Sequence, residues 1–188
     1  MKNLFLLSVI AVFAMSNVNA QEVTFGAKAG LNMASFSGDE TGGVKAKTSF
    51  HVGAVAEIAI SDVFSVQPEL LFSAQGAKED GGDGEFKSNY INLPIMAKYY
   101  VAEGLSVEAG PQVGLLISAE DEDGDDFKDE MSGIDFGLNL GVGYKMESGL
   151  NFAARYNLGL SNIWDYDGIG DFSQQNAVFQ ISVGYFFN

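Results

Sequence analysis

Eight ionisable side chains recur at alternate positions of otherwise apolar segments: Lys28, Glu57, Glu69, Lys98, Glu108, Asp135, Lys145 and Arg155. Four are acids and four are bases, the balance expected of groups that must pair when enclosed. Lys28, Lys98 and Arg155 are candidates to pair with Glu57, Glu69 and Glu108 as a polar network inside the protein. Such a network can be a self-satisfied filling, or it can be the gate of an ion path.

A second concentration of chemistry is acidic. Residues 120–130 hold eight carboxylates in eleven positions. Carboxylates are hard ligands suited to Ca²⁺ or Mg²⁺, but Gly124 stands in the wrong place for an EF-hand loop. Asp165, Asp167 and Asp171 form a looser oxygen cluster. Both read as solvated surface more readily than as a dedicated metal site. His51 is the single histidine and reads as a structural residue. There is no Cys, no Gly-x-Ser-x-Gly elbow, no phosphate loop and no dinucleotide fingerprint. No catalytic, cofactor-binding or metal residues are therefore assigned, and the chain reads as not an enzyme. A formal net charge of −15 over 188 residues also excludes bulk phosphate neutralisation, and with it nucleic acid.

The elements that must carry these residues alternate with period two. Val23, Phe25, Ala27, Ala29, Leu31 and Met33 share one face, against Thr24, Gly26, Lys28, Gly30 and Asn32. The same pattern recurs in seven further segments, ending with Ala177, Phe179, Ile181, Val183, Tyr185 and Phe187. It predicts eight strands. Short turns near residues 61–62, 102–104 and 147–149 alternate with loops of about a dozen at 36–47, 77–87, 118–131 and 162–175. The result is a repeat of about 41–45 residues, four hairpin units in one domain. Pro68, Pro94 and Pro111 fall inside strands, where bulges or irregular pairing are expected.

Residues 1–20 are of a different kind. Lys2 is followed by an apolar stretch over 4–15 broken only by Ser8, and then by small residues up to Ala20. That is the pattern of a secretory signal peptide cleaved after Ala20, leaving residues 21–188 as the barrel domain.

Which face meets water decides the fold. The apolar faces hold fifty positions with no polar residue. The mixed faces hold 43, of which ten are Gly and only eight are ionised. A soluble surface carries roughly 25–35% charged residues, and Gly is a poor choice for an exposed strand. Gly suits a narrow bore, where large side chains would collide. The expectation is an all-β, eight-stranded antiparallel up-and-down transmembrane β-barrel, with apolar faces toward lipid and ions within. Tyr99, Tyr144, Tyr185 and Phe187 would form an aromatic belt at the short-turn rim. Phe50, Phe72, Tyr90 and Trp164 would form another at the long-loop rim.

Several runs carry a family resemblance: Phe25-Gly26-Ala27-Lys28-Ala29-Gly30-Leu31-Asn32, Val66-Gln67-Pro68-Glu69-Leu70-Leu71-Phe72-Ser73 and Tyr90-Ile91-Asn92-Leu93-Pro94-Ile95-Met96-Ala97-Lys98-Tyr99-Tyr100. Glu108-Ala109-Gly110-Pro111-Gln112-Val113-Gly114 and Arg155-Tyr156-Asn157-Leu158-Gly159-Leu160 add to it. Residues 21–188 resemble the small outer-membrane β-barrel proteins of Gram-negative bacteria called porin family or PorT-like. The resemblance implies a location in the cell outer membrane and implies no shared catalytic residues. The alternating C-terminal run matches the signal read by the barrel-insertion machinery, with Asn188 as a departure.

The expected partners are outer-membrane lipid, lipopolysaccharide bridged by divalent cations at the acidic loops, and that machinery. No cofactor is expected and no protein partner is named. The expected role is structural or surface-interactive. A narrow porin-like pore for small solutes or ions is one alternative, and a soluble periplasmic ligand-binding β-barrel is another.

Overall fold

Antiparallel neighbours joined by short connections can bury every backbone hydrogen bond only if the sheet closes. The computed structural model describes residues 22–39, 41, 43–81, 84–121, 123–164 and 173–187. Eight strands are seen: β1 (Val23–Gly38), β2 (Val44–Ser61), β3 (Phe64–Glu79), β4 (Glu85–Ala102), β5 (Leu105–Glu120), β6 (Ile134–Lys145), β7 (Leu150–Gly159) and β8 (Gln174–Phe187). Each pairs antiparallel with the next, and β8 returns to β1 from Phe25↔Phe187 to Gly38↔Gln174. The proposed signal segment and the Asp165–Asp167–Asp171 cluster lie outside the described residues, as does Asn188.

The faces are disposed as in a membrane barrel. Phe136, Leu138 and Leu158 are 52%, 37% and 40% exposed, whereas Lys28 and Arg155 are 4% and 2% exposed. Apolar side chains on the outside of a closed barrel meet hydrocarbon, not water. This inside-out arrangement sets aside the soluble barrel.

Of the expected bulges or irregular pairing, the prolines give irregular pairing without a bulge. In an antiparallel strand, a residue's N–H and C=O both point to the same neighbour, so a proline weakens only one of its two ladders. Pro68 pairs with Ile95 of β4 but with nothing in β2. Pro94 pairs with Gln112 of β5 but with nothing in β3. Pro111 pairs with Leu138 of β6 but with nothing in β4. Pairing is irregular on one side of each, and register is kept. The register shifts fall elsewhere, between Ala46 and His51, Ala59 and Ser61, Asn89 and Tyr90, and Tyr100 and Ala102.

Two of the four long loops are largely strand. The β1–β2 ladder runs to Ala34↔Lys47, and the β3–β4 ladder continues to Lys78↔Glu85. Polar residues continue the hairpins past the apolar belt, because ladder hydrogen bonds need no apolar face. The β5–β6 connection remains long and carries a single 3-10 turn, Lys128–Glu130.

The short-turn aromatic belt forms as expected, with Tyr99, Tyr144, Tyr185 and Phe187 all outward and exposed. The long-loop belt is thinner. Phe50 and Phe72 stack on the outside with ring centroids 5.7 Å apart. Tyr90 is instead turned into the bore and is 1% exposed, as its place on the mixed face of β4 requires. Trp164 is half-buried and packs against the loops that close that end.

Candidate functional site

Among the described residues, the bore gathers chemistry from many strands. Its turn-side half is charged. Glu69 of β3 receives Lys28 Nζ at 3.1 Å, Arg155 Nη2 at 2.7 Å and Gln67 Nε2 at 2.6 Å. Arg155 of β7 reaches Glu108 of β5 through both Nη2 and Nε at 2.9 Å. Glu108 lies 3.6 Å from Lys98 Nζ, which also donates to Glu57 Oε2 and Gln67 Oε1 at 3.0 Å each. Glu57 accepts from Tyr100 Oη at 2.6 Å and pairs with Lys145 Nζ at 3.5 Å.

The chain of charge is therefore Lys28–Glu69–Arg155–Glu108–Lys98–Glu57–Lys145. All six residues expected of the network belong to it. An ion taken from water costs several kcal/mol unless its partners are well placed. Here every carboxylate in the chain has at least two cationic neighbours.

Glycine makes room for it. A Cβ at Gly143 would fall on Glu108 Oε1, and one at Gly141 would lie 2.6 Å from Arg155 Cγ. These two glycines of β6 clear the wall beside the Glu108–Arg155 pair.

Sequence reasoning left two groups out of the network. Lys145 closes the chain at the turn end, half-buried over the Phe186 ring at 4.5 Å. Its place on the mixed face of β6, in line with Gly141 and Gly143, was the available signal. Gln67 bridges Glu69 and Lys98; it shares the face of Glu69 two residues away. The eighth mixed-face ion, Asp135, stands apart near the loop end. It accepts from Ser161 Oγ at 2.9 Å and Asn176 Nδ2 at 3.3 Å.

The loop-side half is built from amides and hydroxyls. Asn32 Nδ2 donates to Phe50 O, Ser73 Oγ and Ala74 O, so its Oδ1 is the acceptor. That oxygen takes Gln180 Nε2 at 3.0 Å and His51 Nδ1 at 2.7 Å. Nδ1 of His51 thus carries the proton, and Nε2 accepts from Ser182 Oγ at 2.8 Å. The order Ser–His–Asn is that of an acyl-transfer triad. All three are buried, at 4%, 1% and 0% exposure, and they brace β8, β2 and β1 within the bore. His51 thereby links Asn32 of β1 to Ser182 of β8. Asn157, Asn139 and Gln112 form a second row at 3.3 and 3.2 Å. Among the described residues, Gln75 Oε1, opposite Ser88 on β4, is buried without a hydrogen-bond partner.

Above this lies an apolar lid of Tyr90, Leu116, Ala119, Met131 and Ile163, with Phe36, Phe127 and Trp164 packed on it. The acidic β5–β6 connection supplies Phe127, whose N–H donates to Ala119 O at 3.2 Å. Met131 bridges to Trp164 of the β7–β8 connection. Among the described residues, no group of three or more His, Asp or Glu is arranged to hold a metal ion.

Comparison with known proteins places this architecture. Neisserial surface protein A shares 15% identity at a TM-score of 0.59, over 88% of this chain and 99% of that one. Ail, the attachment invasion locus protein of Yersinia pestis, shares 15% identity at a TM-score of 0.53, over the same shares of the two chains. A major outer membrane protein of Thermus thermophilus shares 15% identity at a TM-score of 0.50, again over 88% and 99%. At such identity the likeness is one of fold. A search of curated proteins finds no significant match. Residues 19–165 match the family described as outer membrane protein beta-barrel domain. Closed topology, outward apolar faces and this match together make the chain a member of that family, a β-barrel protein of the outer membrane.

Proposed function

We propose that this protein is a non-conducting outer-membrane scaffold that presents its loops at the cell surface and performs no catalysis. Residues 1–20 serve as the cleaved export signal. The short turns face the periplasm and the long acidic loops face outward, the usual disposition of such barrels. The observation that carries the reading is the uninterrupted charge chain across the bore, roofed by the Phe127–Trp164 lid. An ion entering must displace partners from buried carboxylates and then pass apolar side chains.

Planar-bilayer recording tests the proposal. The purified barrel should give no unitary current, and Arg155→Ala should introduce one or raise leak. Steady unitary openings of the unmodified protein would favour the pore. The same loops hold divalent cations only diffusely, so calorimetry should show weak, millimolar Ca²⁺ binding.

A further inference from the structure

One buried acid is left out of the charge chain. Asp135, on the bore face of β6, is 4% exposed. Among the described residues, the four bases of the bore pair with Glu57, Glu69 and Glu108, and none pairs with Asp135. Gly141, the position opposite Arg155, is six residues farther along β6, about 20 Å of strand. Both hydrogen bonds to Asp135 come from neutral groups. Ser161 Oγ donates at 2.9 Å, and its oxygen is itself held by the Phe136 N–H at 2.8 Å. Asn176 Nδ2 is shared, at 3.3 Å to each, between Asp135 Oδ2 and Tyr90 Oη. A carboxylate taken from water meets a cation or gives up its charge.

Register sets a second unsatisfied group beside it. Gly114 of β5 stands directly opposite Asn92 of β4 on one side and Asp135 of β6 on the other. Asn92 is 1% exposed, and among the described residues its side-chain amide makes no hydrogen bond. A Cβ at Gly114 would lie 2.8 Å from Asn92 Oδ1, 3.3 Å from Tyr90 Cδ1 and 3.4 Å from Asp135 Cβ. Glycine at this position therefore opens a hollow between an amide oxygen, an aromatic ring and a carboxylate. A buried amide with no protein partner is the mark of a place that takes water or an ion.

Charge and donor type select the occupant. Carboxylate and amide oxygens are hard ligands, and the face of the Tyr90 ring also favours a cation. One carboxylate balances one positive charge. A divalent ion would leave a charge unbalanced in the bore, at a cost of several kcal/mol by the usual penalty for buried ions, about what an unpaired Asp135 costs already. Ser161 ties the hollow to the β7–β8 connection, two residues before Ile163 of the lid.

We propose that Asp135 and Asn92, across the Gly114 hollow, bind one alkali-metal cation, Na⁺ or K⁺, beneath the lid. The purified barrel in phosphatidylcholine vesicles is unfolded by urea at one ionic strength in choline chloride, NaCl or KCl, choline being too large for the hollow. The urea midpoint should rise when Na⁺ or K⁺ replaces choline, as for any ligand held by the native state alone, and the ion giving the larger rise is the one the site prefers. Asp135→Asn should lose that rise, and in choline it should be more stable than the unmodified protein, because it buries no charge. Gly114→Ala, which fills the hollow and keeps the carboxylate, should lose most of the rise as well. Asp123→Asn, in the β5–β6 connection, should keep it. Heat-modifiable migration on a gel confirms that each variant is folded. Crystals soaked in a thallium(I) salt should show an anomalous peak against the Asp135 carboxylate. Equal midpoints of the unmodified protein in the three salts would overturn the proposal. So would an equal rise in Asp135→Asn, or thallium at the loop carboxylates alone. A midpoint that follows pH and ignores the salt cation would mean that Asp135 holds a proton instead, and would overturn it too.

Discussion

The two halves of the bore solve one problem with different chemistry. The turn-side half encloses seven charges in a single linked chain, while the loop-side half uses neutral amides in short separate rows. A linked set of buried ions stands or falls together, because removing one leaves its partners charged and unpaired. Neutral rows fail locally and can even carry a buried oxygen with no partner among the described residues, as at Gln75. Rigidity should therefore concentrate toward the turns, and tolerance to change toward the loops.

Substitutions can break or sharpen that contrast. The largest effect is expected at Arg155, which holds Glu69 and Glu108 together. Arg155→Met should cost about 3–5 kcal/mol, read as a fall in the urea midpoint of the barrel in lipid vesicles. On the loop side, Asn32→Ala removes the hub that fixes His51, and should cost about 1–3 kcal/mol in the same assay. Gly143→Ala forces Glu108 aside and should cost about 1–3 kcal/mol, with most of the loss absent when Glu108→Ala is already in place. Phe127→Ser should move barrel stability by less than about 1 kcal/mol and show instead as faster proteolytic nicking of the β5–β6 connection. A loop-side change that matched Arg155→Met in cost would dissolve the contrast.

Much of this was legible before any coordinates. Strand number, the outward apolar faces and the six-residue network follow from period-two alternation and the sign balance of the mixed faces. A finer rule was also present. Lys28–Glu69, Glu57–Lys98, Asn32–Ser73 and Asp135–Asn176 are each separated by 41 positions. That matches the short end of the hairpin repeat, so equal height on alternate strands could have been read from spacing. Arg155–Glu108, separated by 47, departs because the β5–β6 connection is longer.

What the sequence did not disclose depends on long-range closure. Tyr90 turns into the lid because strand parity outweighs its suitability for a membrane interface. Trp164 is drawn from the expected belt by Gln174, whose Oε1 accepts its indole N–H at 2.8 Å, and by Phe127 at 6.2 Å between ring centroids. Gln174 opens β8 and Phe127 comes from the β5–β6 connection, so no local pattern encodes their meeting at Trp164. The prolines kept register because each weakens one ladder only, a detail of strand geometry that a rule of proline avoidance overlooks.

The central claim is that opposite charges deep in the bore act as one unit. A double-mutant cycle on Arg155→Met and Glu108→Gln, with unfolding by urea in vesicles, tests it most directly. The account predicts a coupling energy of at least about 2 kcal/mol, the double variant being far less damaged than the sum of the singles. Additivity within about 0.5 kcal/mol would contradict it.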